Sequence, residues 1–267
     1  MKSTLTCCLL AVGVSALPSP QSTGPQPAAS SPASSLTDLF PDHGENAVPF
    51  GPKPTGCSDF EVLVARGTSE PGPFGIIAGD PLVKNVVAAM PEARGYAVQY
   101  PAVYSTESVL IGAEDVVNRV TEQNLACPSQ KFALVGYSQG ARVMRAASVK
   151  FDPSIYPKIL ALVMFGDRGM RDLNITQFPP HLQTKLFENC APADPGCSGV
   201  GTDPAPHLTY NANGTTYQAD SARFIIAAFK GTPLPAKTAV PEASIVGGAS
   251  GTSPGAESPP PPEPGCG

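Results

Sequence analysis

Between residues 57 and 230, short runs rich in β-branched and aromatic residues alternate with longer segments whose apolar residues recur at helical spacing. That alternation admits few folds, because strands separated by helices close into a parallel sheet with helices packed on both faces. The runs at 60–66, 96–100, 132–136 and 159–165 read as strands, with a fifth at 183–187. Val83, Val86, Val87 and Met90 mark one helix between them. Val109, Leu110, Ala113, Val116, Val117 and Val120 mark a long one, opened by Ser105 or Thr106 as cap. After Gly140 a helix carries Val143, Met144 and Ala147, and a last one carries Phe224, Ile225, Ala228 and Phe229. The expectation is an α/β fold.

The flanks differ in texture. Residues 1–16 hold an early lysine, a short apolar run and a small-residue end, the layout of a secretory signal peptide cut after Ala16. Residues 17–55 and 231–267 are rich in Pro, Ser and Gly, and neither buries enough apolar surface to offset the entropy of ordering it. The ordered domain is therefore expected over 56–230, in a secreted, extracellular protein without a membrane anchor. Of seven cysteines, Cys7 and Cys8 leave with the leader and Cys266 lies in the tail. The other four, Cys57, Cys127, Cys190 and Cys197, are expected to form two disulfides in an oxidising compartment, in any of three pairings. Asn174 and Asn213 head possible N-glycosylation motifs. A net charge of −5 without a basic cluster argues against nucleic acid or an anionic membrane as partner, and a monomer is expected.

The strand at 132–136 runs into Gly136, Ser138 and Gly140, the spacing of a nucleophile elbow. Such a turn forces the serine into a strained conformation and leaves no room for side chains two residues to either side. Gly251, Ser253 and Gly255 repeat the spacing, but with no strand before them and no helix after. Ser138 is therefore the candidate nucleophile, and a serine in that role needs a general base oriented by a carboxylate.

Three histidines are available. His43 lies in the N-terminal low-complexity stretch, and His181 sits at the start of the fifth strand. His207 lies after the last strand and before the last helix, where this fold places the base. The acid then lies between Ser138 and His207. Asp152, Asp172 and Asp203 read as loop or capping residues; Asp167, following a strand, is a rival; Asp194 is favoured. If Cys190 and Cys197 are bonded, they close a short loop around Asp194, worth about 2.5 kcal/mol in a chain-entropy model. Oxyanion donors are expected at the backbone N–H of Gln139 and at Thr68, in the loop after the first strand.

These pieces together resemble the cutinase family of serine esterases, which includes acetylxylan esterases. The resemblance rests on residues 65–70, 100–102, 127–128, 136–140, the 190–197 loop and 206–208, all in family order. It implies a three-layer α/β/α sandwich with a central five-stranded parallel sheet and no lid. It also implies Ser138, Asp194 and His207 as the triad, oxyanion donors at Thr68 and Gln139, and disulfides Cys57–Cys127 and Cys190–Cys197. One segment departs from the pattern. In the best-known cutinases the stretch before the histidine is aliphatic and grips acyl chains; residues 199–205 here carry Val200 as their only bulky aliphatic side chain. Tyr104, Val109 and Leu110 are the other expected apolar contributors. The implied activity is hydrolysis of cutin-like polyesters or short-to-medium acyl esters, with no metal and no cofactor. Deacetylation of xylan is the alternative, and a non-catalytic surface-binding protein a more distant one.

Overall fold

The computed structural model describes residue 51 and residues 53–235; the leader, His43, the glycines and serine at 251–255 and Cys266 lie outside them. Five strands form one sheet: β1 (Phe60–Ala65), β2 (Ala93–Ala97), β3 (Lys131–Tyr137), β4 (Ile159–Phe165) and β5 (Leu186–Asn189). Their order is β2-β1-β3-β4-β5, and every pairing is parallel. The α-helices are α1 (Asp80–Ala89), α2 (Thr106–Ala126), α3 (Gln139–Ser148), the single turn α4 (Pro180–Gln183) and α5 (Tyr217–Lys230).

Strand residues alternate between the two faces, and both faces are covered. Leu63, Leu134, Leu162 and Met164 pack with Val116 of α2 and Val143 and Met144 of α3. Val64, Val135 and Val163 pack on the other side with Leu82 and Val86 of α1 and Phe224 and Ile225 of α5. Two covered faces explain why these strands read as nearly unbroken apolar runs. Ser105 is the cap of α2: its hydroxyl accepts the Ser108 N–H at 3.0 Å. The disulfides are Cys57–Cys127 and Cys190–Cys197.

Two strands depart from the sequence reading. β2 begins at Ala93 rather than 96, because Ala93 pairs with Phe60 and Arg94 is held by Glu61 at 2.7 Å. Tyr100 instead leaves the sheet; its carbonyl accepts from Arg66 at 3.2 Å. The fifth strand starts at Leu186, because Pro179 and Pro180 open the α4 turn just before it. His181 lies in that turn, stacked on Tyr156 at 6.3 Å between ring centroids.

Candidate active site

β3 ends at Tyr137, α3 begins at Gln139, and Ser138 makes the whole turn between them with φ 54° and ψ −111°. A non-glycine residue there costs about 1–3 kcal/mol, and the surroundings hold it in place. The Ser138 N–H donates to the Phe165 carbonyl on β4 at 2.9 Å. The flanking glycines are sterically required: a Cβ on Gly136 would lie 2.5 Å from the Gly140 carbonyl oxygen, and one on Gly140 would lie 1.9 Å from that of Ala65. The second contact also sets the end of β1 directly over the start of α3. Gln139, the first residue of α3, has no intrahelical acceptor for its backbone N–H. Its side chain donates to the Val103 carbonyl at 2.8 Å, tying down the segment that leads into α2.

Thr68 sits half-buried in that loop. The loop is anchored from both sides: the Ser69 N–H donates to the Ala102 carbonyl at 2.8 Å, and Arg66 reaches the carbonyls of Tyr100 and Pro101 at 3.2 Å. Beneath it lies Glu70, fully buried, accepting the N–H groups of Gly67 at 2.5 Å and Ile77 at 2.8 Å. Burial pushes the Glu70 carboxyl up to about 7, against the opposing effect of those hydrogen bonds and of Arg66. Because folding raises this pKa, the group stabilises the fold most at low pH, and the contribution is lost as pH rises toward about 7. We expect the melting temperature of the natural protein to fall more steeply from about pH 5 to about pH 7 than that of Glu70→Gln. The variant is less stable overall, since an amide offers one acceptor oxygen to two backbone donors. Equal slopes in the two proteins would contradict the assignment.

His207 and Asp194 are both buried, and His207 Nδ1 lies 2.8 Å from each Asp194 oxygen. The Gly196 N–H donates to Asp194 Oδ1 at 2.6 Å, and the Tyr210 hydroxyl donates to Oδ2. Burial raises the Asp194 carboxyl, but His207, Tyr210 and Gly196 together outweigh it, and the net direction is down. The imidazole is bracketed by the neighbours of Ser138. The Tyr137 ring lies 5.1 Å from it, and the Tyr137 hydroxyl donates to the His207 carbonyl at 2.8 Å. A Cβ on Gly166, the residue after Phe165, would come within 2.5 Å of His207 Cε1.

The rival aspartate is engaged elsewhere. Asp167 is buried against Arg145 of α3 at 2.6 Å and accepts the Gly169 N–H at 2.7 Å. Asp152, Asp172 and Asp203 accept the N–H groups of Ser154, Asn174 and Ala205, as expected of turn caps. Val109, expected at the site's apolar edge, is instead in the core at 5% exposure, because it lies on the inward face of α2. Glu70 and Tyr210 had no assigned role in the sequence reading. The available signal for Tyr210 was its place three residues after His207, one turn along the 3₁₀ helix Ala205–Asn211.

A serine on a left-handed strand-to-helix turn, at the carboxyl edge of a parallel sheet and beside a buried carboxylate–imidazole pair, defines an α/β-hydrolase. The family model described as Cutinase matches residues 56–229, and the chain belongs to that family. It is 32% identical over 175 residues to cutinase CUT1 of Coprinopsis cinerea, an alignment covering 64% of this chain and 84% of that protein. A solved Trichoderma reesei cutinase with a bound phosphonate inhibitor superposes with TM-score 0.52 at 30% identity, covering 65% of this chain and 75% of the other. A solved acetylxylan esterase superposes with TM-score 0.55 at 26% identity, covering 65% of this chain and all of the other. The protein is thus a serine ester hydrolase of the cutinase type. Among the described residues no helix is long and apolar enough to cross a membrane, and no cluster of His, Cys, Asp and Glu is arranged to hold a metal.

Proposed function

We propose that the protein cleaves carboxylic esters through an acyl-enzyme on Ser138. The observation that carries this reading is the buried His207–Asp194 pair, with Nδ1 at 2.8 Å from both carboxylate oxygens. That bond orients the ring and leaves Nε2 free to accept the Ser138 proton as the hydroxyl attacks the ester carbonyl. The resulting oxyanion rests on the N–H groups of Thr68 and Gln139. His207 then protonates the leaving alcohol, and water resolves the acyl-enzyme by the reverse path.

The substrates proposed are cutin-like polyesters and short-to-medium acyl esters. Support comes from sparse exposed apolar side chains on the segments that flank the site residues in sequence: Tyr104 at 77% exposure, Val200 at 50% and Ile76 at 47%. These offer footholds without enclosing a long chain. Across p-nitrophenyl esters from acetyl to palmitoyl, kcat/KM should peak at or below octanoyl, with no jump above the solubility limit. A maximum at palmitoyl, or a sharp rise on emulsified ester, would overturn this substrate assignment. A second reading, deacetylation of xylan, is favoured by the likeness to the acetylxylan esterase and by residues 199–205 carrying Val200 as their only bulky aliphatic side chain. Acetate released from acetylated xylan, compared with hydroxy fatty acid released from cutin, separates the two.

We also propose that the protein is secreted and glycosylated. The leader-like residues 1–16, the two disulfides and the exposure of Asn174 and Asn213 support this. Protein recovered from culture medium should begin after Ala16 and lose mass on treatment with a peptide N-glycosidase. Retention in the cell with an intact N-terminus would contradict it.

A further inference from the structure

Tyr210 is fully buried, in a setting that would suit phenylalanine. Its ring meets those of Tyr137, Phe165 and Tyr217 edge-on at 5.8, 5.6 and 5.2 Å. A hydroxyl at such depth is costly unless it is bonded, and this one is bonded twice. It donates to Asp194 Oδ2 and accepts the Ala191 N–H at 3.2 Å. Ala191 directly follows Cys190, and Cys197 Sγ lies 3.6 Å from the same oxygen, so the phenol reaches both ends of the disulfide loop that carries the aspartate. The Tyr210 backbone is pinned as well, its carbonyl accepting from Gln218 at 3.1 Å.

We infer that Tyr210 is a positioning residue for the reaction. Its hydroxyl fixes the rotation of the Asp194 carboxylate and shares that carboxylate's negative charge, and so sets how strongly Asp194 holds the protonated His207 ring. This rests on the proposal that Ser138, Asp194 and His207 act as a triad. The geometry supports a division of labour. The Gly196 N–H loads Oδ1, the Tyr210 hydroxyl loads Oδ2, and Nδ1 of His207 faces both oxygens. The phenol stays a donor throughout, because burial and the facing Asp194 raise its pKa. Without it, Oδ2 keeps more of its charge and favours the imidazolium, which holds the ring protonated to higher pH.

The test compares kcat, KM and the pH profile of kcat/KM for p-nitrophenyl butyrate hydrolysis in the natural protein, in Tyr210→Phe, and with 3-fluorotyrosine at position 210. Tyr210→Phe should lower kcat about tenfold with KM nearly unchanged, since a bond to a charged group is lost away from the substrate. Its acid limb should move up by about half a pH unit. The fluorinated phenol keeps the shape and donates more strongly, so its acid limb should move down. These opposite shifts are the readout that a purely structural role would leave unmoved. Should Tyr210→Phe fold poorly, the fluorotyrosine protein alone decides the matter through the sign of its shift. An acid limb at the same pH in all three proteins overturns the assignment of Tyr210 while leaving the esterase reading intact. If the natural protein itself neither hydrolyses the ester nor reacts with a fluorophosphonate, the esterase reading fails and this inference falls with it.

Discussion

Ser138→Ala should abolish ester hydrolysis, lowering kcat by at least about 10⁴-fold, while leaving the fold unchanged. The hydroxyl is proposed as the attacking group, whereas the backbone at 138 is held by the bond to Phe165 and by the packing of Gly136 and Gly140. Ser138→Gly removes the hydroxyl and the backbone strain together. At φ 54° the natural residue is strained, and glycine adopts that conformation readily. The glycine variant should therefore be as inactive as the alanine variant but more stable by about 1 kcal/mol, a rise of a few degrees in Tm. The pair of variants separates catalytic loss from structural damage, because one is neutral for stability and the other favourable. Substantial activity in either variant, measured on p-nitrophenyl acetate, would be incompatible with Ser138 as nucleophile.

Asp194→Asn should cost about 10⁴-fold in kcat with little loss of stability. The carboxylate faces donors on every side: Gly196 N–H at Oδ1, the Tyr210 hydroxyl at Oδ2, and His207 Nδ1 at 2.8 Å from both. An amide must place its own N–H₂ against one of them. The backbone N–H of Gly196 cannot turn away, so the amide nitrogen goes to the Oδ2 side, where the tyrosine hydroxyl can rotate to accept. On that side His207 Nδ1 then faces a donor where it faced an acceptor, which favours the tautomer with Nδ1 as acceptor. The ring proton moves to Nε2, the position that must be free to take the serine proton. A loss smaller than about tenfold would show that the carboxylate does not govern the tautomer. Asp167→Asn provides the contrast, since that residue faces Arg145 and not the imidazole.

Much of the fold was legible because its strands are covered on both faces, so their apolar runs are long and unambiguous. β4, over Ile159–Phe165, matched the reading at both ends. The weaker edges failed for a physical reason. Ala93, Arg94 and Gly95 have little β-propensity of their own and enter the sheet through pairing with Phe60, Glu61 and Val62, aided by the Arg94–Glu61 ion pair. Tyr100 looks like a strand residue in isolation, yet Arg66 draws it into the loop. The same divide runs through the site. Ser138 and His207 stand in local patterns, and Asp194 stands inside a cysteine-bounded loop, so sequence alone could nominate all three. Glu70 reads as an ordinary polar loop residue, and only the closing of residues 66–77 over it makes it a buried acceptor for two backbone donors. Tyr210 reads as core. Its hydroxyl gains a role only when the 190–197 loop folds across it.

Folding is proposed to convert Ser138 into a nucleophile by bringing His207 and Asp194 to it. Site-resolved mass spectrometry of protein treated with a fluorophosphonate reads out that conversion at the residue itself. The expected result is an adduct on Ser138 in the folded protein, absent after prior unfolding and absent in His207→Ala. An unlabelled Ser138 in the folded protein, or labelling that survives unfolding or loss of the imidazole, would contradict it.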